Sequence, residues 1–191
     1  MAGNPARSPT RTTSSSLRGV IFQTPRLTVR ELTPGDVDAL ASMYADPEVM
    51  RYIGTGGARG RDDAARAIDR QLAIYAERGF GEWATVLRES GEMVGLCGLI
   101  VWPDIEGTEE LEVAYLLARD VWGRGLGTEV AGAIRDWAVR ELDRTRLVSC
   151  IYPEHTASIH VALKIGMRYE KDFLYEGLPM ASYAWTAPVE A

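Results

Sequence analysis

Apolar positions along this chain recur with two different periods, and the switches between them divide it into elements. From Phe22 to Leu32 (FQTPRLTVREL) the pattern alternates at Leu27, Val29 and Glu31, the period of two that a half-buried strand shows. Thr33, Pro34 and Asp36 then carry helix-start chemistry, with proline in the first turn. The spacing predicts a helix to about Ala45, closed by Asp46-Pro47. Thr55 to Gly60 (TGGARG) reads as a flexible connection. A second helix is predicted over roughly Asp62 to Arg78, with Ala65, Ile68, Leu72 and Tyr75 on one face and Gly79 as its stop.

Three strands follow, Gly81 to Arg88, Met93 to Val101 and Glu110 to Leu117. Ser90-Gly91 and Glu106-Gly107 between them are hairpin turn pairs, so an antiparallel meander is expected. The helical period returns from Gly125 to about Leu142, with Leu126, Val130, Ile134, Trp137 and Ala138 on one face. Arg146 to Tyr152 reads as a buried strand ending at Pro153, and His155 to Ile165 as a fourth helix closed by Gly166. Met167 to Leu174 and Met180 to Ala187 are two last strands. The predicted order is β-α-α-β-β-β-α-β-α-β-β.

Size and composition narrow this picture. A chain of 191 residues, 46% of them hydrophobic, can bury one core, so residues 19–191 are expected to form a single domain. Residues 1–18 are rich in Ser, Thr and Pro, basic and nearly without apolar residues. They are expected to be a disordered tail, since they cannot bury enough surface to offset ordering entropy. The tail carries three arginines and no acid, which leaves 18 basic against 27 acidic residues, or −9, for the rest. That balance argues against nucleic acid as a partner and suits a cationic one. No apolar run reaches the ~18 residues of a membrane span, and no signal peptide is visible, so a cytoplasmic protein is expected. Cys97 and Cys150 sit in apolar strand-like runs and read as reduced. With two histidines and no ligand spacing, no metal site is expected.

The chemistry is concentrated in Val121 to Glu129, VWGRGLGTE. Three glycines at alternate positions follow the strand Leu111 to Leu117 and open an amphipathic helix. Glycine allows a tight turn and close backbone approach, and a helix N-terminus offers unpaired N–H groups and a positive dipole end. A phosphate-bearing ligand is the natural occupant. A P-loop is excluded because no Lys follows these glycines, and a dinucleotide fingerprint because the spacing is G-x-G-x-G.

This loop resembles the acetyl-CoA pyrophosphate loop of the GNAT N-acetyltransferase superfamily, in the form found in its ribosomal-protein-alanine acetyltransferase (RimJ/RimL-like) branch. The opening TPRLTVREL, the strand LEVAYLL (resembling E-I-G-Y-W-L) and HTASIHVALKIGM (resembling N-x-x-S-x-x-v-x-x-K-x-G-F) match separately, and the likeness runs from Phe22 to the end. It implies the GNAT α/β (α+β) fold, with a central mixed, mostly antiparallel sheet of six to seven strands and about four helices. It implies acetyl-CoA as donor, a primary amine as acceptor (a protein N-terminus or a small molecule), and a homodimer.

The resemblance also distributes roles. Trp122, Gly123, Arg124, Gly125, Leu126, Gly127 and Thr128 would hold the pyrophosphate, and backbone groups of Tyr115, Leu116 and Leu117 the pantetheine. That strand would splay from its neighbour to admit the pantetheine, and an N–H there would stabilise the oxyanion. Glu112 would be the general base and Ser158 the proton donor near sulfur, with His155 bonding CoA where the branch has Asn. The tyrosine acid that many superfamily members carry four residues before the closing glycine is Ala162 here. That loss keeps a second expectation open, a non-catalytic acyl-CoA-binding or regulatory module. A Cys150–His155 nucleophile pair is disfavoured, because no oxyanion-forming motif surrounds it and direct transfer needs no covalent intermediate. Acceptor choice is expected from residues 46–61 and 173–182; Asp172 and Glu176, with Tyr175 nearby, could receive a cationic amine, but a solvated hairpin face is the default reading for them.

Overall fold

The computed structural model describes residues 19–188. The tail expected over residues 1–18 lies outside the described residues.

One eight-stranded sheet organises the chain. The predicted first strand is in fact a hairpin, β1 (Val20–Gln23) and β2 (Leu27–Arg30). Pro25 cannot donate a ladder hydrogen bond, so the run breaks at Thr24-Pro25-Arg26. After β2, Asp36 accepts from the Thr33 N–H (2.7 Å) and hydroxyl (2.9 Å) and pairs with Arg30 (2.7 Å). This fixes a 3-10 turn over Pro34–Asp36 that leads into α1 (Val37–Ala45). Asp46-Pro47 closes α1 as expected, but it also starts a further short helix, α2 (Pro47–Met50). The Asp46 carboxylate accepts from the Glu48 N–H (3.0 Å), with proline in the first turn.

Helix α3 (Arg61–Arg78) ends on Gly79 at φ 75°. Its buried residues are Ala64, Ala67, Ile68 and Gln71, so the buried stripe is rotated from the predicted one. Gln71 is inside because it bonds Glu82 on the sheet (2.8 Å). The meander is β3 (Glu82–Leu87), β4 (Met93–Ile105) and β5 (Thr108–Leu117), antiparallel throughout. Helix α4 (Leu126–Leu142), β6 (Arg146–Ile151), α5 (Thr156–Lys164), β7 (Arg168–Tyr175) and β8 (Leu178–Thr186) complete the chain.

The strand order is β1-β2-β3-β4-β5-β6-β8-β7, and β5 with β6 is the parallel pair. The sheet is mixed and mostly antiparallel, as expected, with eight strands among the described residues instead of six or seven and five α-helices instead of about four. Both faces are covered. Leu40, Met43 and Ile68 from α1 and α3 pack on Ala84, Leu96 and Leu116. On the other face Val130, Ile134 and Ala162 from α4 and α5 pack on Trp83, Cys97 and Val113. Among the described residues, no helix is long and apolar enough to cross a membrane.

Candidate active site

Between β5 and α4 the chain makes a 3-10 turn (Arg119–Val121) and then the glycine loop. Gly123 and Gly125 have φ of 74° and 76°, the left-handed region that other residues enter at a cost. Gly125 is the N-cap of α4, and no side chain caps the helix. The first helical bond from outside the turn joins the Glu129 N–H to the Gly125 C=O (3.2 Å). The N–H groups of Leu126, Gly127 and Thr128 therefore point out of the helix end, where an anion gains both hydrogen bonds and the dipole.

The loop is tied to the opening hairpin. Glu129 accepts from the Thr24 hydroxyl (2.6 Å), the Arg26 N–H (3.0 Å) and Arg26 Nε (2.6 Å), while Arg26 Nη1 donates to the Arg124 C=O (2.7 Å). Burial pushes the Glu129 carboxyl up, but the Thr24 and Arg26 donors outweigh it and hold it below the usual carboxylate range. The Arg124 guanidinium faces Glu89 (3.3 Å) at the surface. Trp122 is exposed, and its indole N–H donates to the Leu117 C=O (2.8 Å).

The splay expected beside β5 is present. β5 and β6 are in register at Glu112 and Val148 alone, and they part beyond it. The Ala118 N–H bonds the Val94 C=O (2.8 Å), and alternation from this point turns the backbone groups of Leu116 toward β4. Those of Tyr115 and Leu117 face the gap. Leu116 instead offers its side chain to a cavity of about 340 Å³ that opens on the α1/α3 face, a size suited to a small ligand.

Glu112 lies in the wall of this cavity and is 7% exposed. The alternation that set Glu110, Glu112 and Ala114 on one face holds, but that face is covered rather than solvated. Glu112 accepts from Trp102 Nε1 (2.6 Å) on β4 and from the Cys150 N–H (2.9 Å) on β6. Burial raises its carboxyl to about 7 against the lowering effect of these donors. Trp102, missed in the sequence, meets Tyr175 edge-on at 4.4 Å.

Across the gap, the Ser158 hydroxyl and the Tyr115 hydroxyl are 2.9 Å apart, and the Tyr115 O–H also reaches the Ser158 C=O (3.0 Å). Ala162, where a tyrosine acid was sought, is fully buried in the core. The phenol stands instead on β5, and sequence spacing carried no signal for it. His155 stacks on Tyr52 (4.4 Å between rings, 20°), and burial lowers its pKa. Tyr152, its ring centroid 5.9 Å from that of Tyr52, donates its hydroxyl to the Gly54 C=O, so the α2–α3 loop is held against the connection between β6 and α5. Tyr175 and Glu176 line the cavity, whereas Asp172 lines a separate shallow cleft with Pro153 and Leu174.

The Cys150 thiol is pushed far up by burial and by Glu112, which keeps it protonated and leaves no thiolate nucleophile. A second acidic group, also missed in the sequence, is Glu82. It lines the same cavity, bonds Gln71, and is raised by burial to about 7.

The model of the acetyltransferase (GNAT) domain matches residues 26–168, three-quarters of the chain and all of the elements just described from β2 to α5. The chain belongs to the GNAT acetyltransferase family. It is 32% identical over 141 residues to the uncharacterized protein YkkB of Bacillus subtilis (strain 168), covering 74% of this chain and 80% of that one. It is 28% identical over 151 residues to the uncharacterized N-acetyltransferase p20 of Bacillus licheniformis, covering 77% and 82%. The acetyltransferase from Agrobacterium tumefaciens str. C58 superposes with a TM-score of 0.74 at 28% identity, covering 96% of this GNAT chain and 99% of that one. RimL, a ribosomal L7/L12 alpha-N-protein acetyltransferase in complex with coenzyme A, shares the fold at a TM-score of 0.71 and 17% identity, covering 88% and 98%.

Proposed function

We propose that this GNAT protein moves the acetyl group of acetyl-CoA directly onto a primary amine, either a protein N-terminus or a small molecule. The observation that carries the reading is one cavity lined by a buried carboxyl, Glu112, and by the Tyr115–Ser158 hydroxyl pair, beside a parted strand gap. The residues present fit a CoA ester. The outward N–H groups of Leu126, Gly127 and Thr128 suit its pyrophosphate, and the gap-facing backbone of Tyr115 and Leu117 suits its pantetheine amides. Gly123 and Gly125 let the backbone approach the phosphates, and the tie from Arg26 to Glu129 keeps the loop in that shape.

Transfer needs a neutral amine. The amine nitrogen forms a bond to the thioester carbonyl carbon, and the C–S bond breaks. Glu112, whose carboxyl burial raises to about 7, takes the proton from nitrogen when ionised. A gap-facing N–H of Tyr115 or Leu117 stabilises the carbonyl oxygen as charge develops. The departing sulfur receives a proton from Ser158, resupplied by Tyr115, and the Tyr115 phenol regains a proton from water as Glu112 releases to water the one taken from nitrogen. An α-amino group, with an unperturbed pKa of about 8, is roughly 10% neutral at pH 7, so such an acceptor asks less of the base than a lysine does.

The test is amine-dependent CoA release, followed with a thiol reagent, over N-terminal alanine and serine peptides, polyamines, aminoglycosides and amino acids. Turnover with any class supports the proposal and names the acceptor. Tight acetyl-CoA binding without turnover across the panel would replace it with the regulatory module, and absence of acetyl-CoA binding would overturn the assignment of the glycine loop.

A further inference from the structure

The cavity holds charges of both signs, kept apart. Arg59 and Arg70 line it on the side of α1 and α3, with Glu112 on the β5 wall and Glu176 at the turn between β7 and β8. On α3 and its lead-in, Arg61 pairs with Asp38 (2.8 Å) and Arg66 with Asp63 (2.7 Å). Among the described residues, Arg59 and Arg70 have no carboxylate partner at ion-pair distance, and Asp63, the acid whose charge Arg59 feels, is committed to Arg66.

Arg59 is nevertheless fixed. Its backbone N–H donates to the Tyr44 C=O (2.8 Å), its guanidinium lies over the Tyr44 ring (5.8 Å), and Nη2 approaches the Ile53 C=O (3.4 Å). Gly54 leaves the room it needs, since a Cβ there would stand 3.0 Å from Nη2. Arg70 points to the same wall, and both guanidiniums lower the pKa of the buried Tyr44 hydroxyl against the burial that raises it. Glu112 is fixed as firmly, by Trp102 and the Cys150 N–H. Arg59 and Glu112 are each held where they stand, while Arg70, exposed on α3, carries its charge to the cavity rim.

A cavity with a pinned acid on one wall and two guanidiniums on another is complementary to a ligand with the opposite polarity at each end. Glu82 lines the same cavity and feels Arg70, but it is bonded to Gln71 and burial favours its neutral form, and among the described residues it makes no ion pair with Arg70.

We infer that the acceptor carries an anionic group, a carboxylate or a phosphate, beside its amine, with Glu112 receiving the amine and Arg59, Arg70 and the Tyr44 hydroxyl receiving the anion. This rests on the acetyl-CoA-to-amine reading above and narrows its acceptor class to small anionic amines.

The experiment compares matched pairs with acetyl-CoA: methionine with methioninamide, β-alanine with propylamine, phosphoethanolamine with ethanolamine. The anionic member of at least one pair is expected to show the higher kcat/KM, by about tenfold or more, as a charge-assisted contact to guanidinium would give. The carboxylate and phosphate pairs distinguish the two sources of negative charge. In Arg59→Gln and in Arg70→Gln, acetyl-CoA binding by calorimetry reports that the fold is intact, and the anionic-to-neutral ratio is expected to fall about tenfold, with Arg59→Lys retaining part of it. Neutral members used as well as or better than anionic ones, or a ratio untouched in both variants, would overturn the inference and leave amine acetylation standing. No amine-dependent release in any pair or in the wider panel, with acetyl-CoA bound, would overturn both.

Discussion

As the proposed general base, Glu112 meets two demands that usually conflict: it is buried in the cavity wall, yet its carboxyl titrates near neutral pH. Burial alone would keep the carboxyl neutral, and the Trp102 and Cys150 donors bring it back to about 7. A base works only when deprotonated, so kcat/KM is expected to fall as pH drops through about 7. Glu112→Gln should remove that limb and lower kcat/KM by roughly 10² or more. A pH–rate profile with an acceptor whose own pKa lies above 9 checks this, and an unchanged limb in the variant would assign it elsewhere. Tyr115→Phe removes the hydroxyl that bonds Ser158 and is expected to lower kcat about tenfold or more while acetyl-CoA still binds, which single-turnover kinetics alongside calorimetry would show. Glu112 and Ser158 could be picked out in the sequence because each sits in a motif with a fixed offset. Trp102, Glu82 and the Tyr115 hydroxyl could not. Trp102 meets Glu112 through cross-strand register, Glu82 meets Gln71 through the packing of α3 on the sheet, and Tyr115 meets Ser158 on a helix more than forty residues away; no local pattern encodes these.

Elements long enough to show a period were readable in the sequence. Helices α3, α4 and α5 and the β3–β4–β5 meander fall within a few residues of their predicted bounds. The pieces that escaped are β1, the turn that separates it from β2, and α2; β1 and α2 have four residues each, too few for alternation or a helical stripe to register, whereas the alternation of β2 is readable but runs together with β1. The same hairpin explains how the glycine loop is held. Thr24 and Arg26 reach across a separation of about a hundred residues to Glu129 at the start of α4, so the opening motif and the loop motif form one structural unit. Glu129 is 15% exposed, and truncating it would strand several donors at once. Glu129→Ala is expected to raise the KM for acetyl-CoA about tenfold and cost roughly 1–3 kcal/mol of stability. Initial-rate kinetics with varied acetyl-CoA and thermal denaturation read the two effects. A stability loss with an unchanged KM would mean that the tie supports the fold but not the loop.

Across the whole molecule, titrating carboxyls pull stability in opposite directions, and their places in the sheet decide where each acts. Asp36 is pushed up by burial but held low by Arg30 and Thr33, and Glu170 is held low by Arg146. These groups stabilise the fold above their unfolded pKa, and that contribution is lost as pH falls through the acid range. Glu82 and Glu112 lie on the same face of β3 and β5, opposite Gly98 and Ile100 of the intervening β4, and burial raises both from 4.5 to about 7. Their sign is reversed. The folded protein binds these protons more tightly than the unfolded chain, so the stabilisation is complete below about 4.5 and is lost as pH rises through about 7. The melting temperature should therefore peak in the mildly acidic range, near pH 5–6, and decline toward pH 8. Glu82→Gln places at that position an amide that needs no ionisation and still offers an oxygen to Gln71. It is expected to flatten the alkaline decline while leaving the acid side as it was. Thermal denaturation from pH 4.5 to 8.5 on both proteins checks this. A wild-type melting temperature that holds or rises between pH 6 and 8, or a variant with the same slope, would show that Glu82 ionises in the fold without penalty.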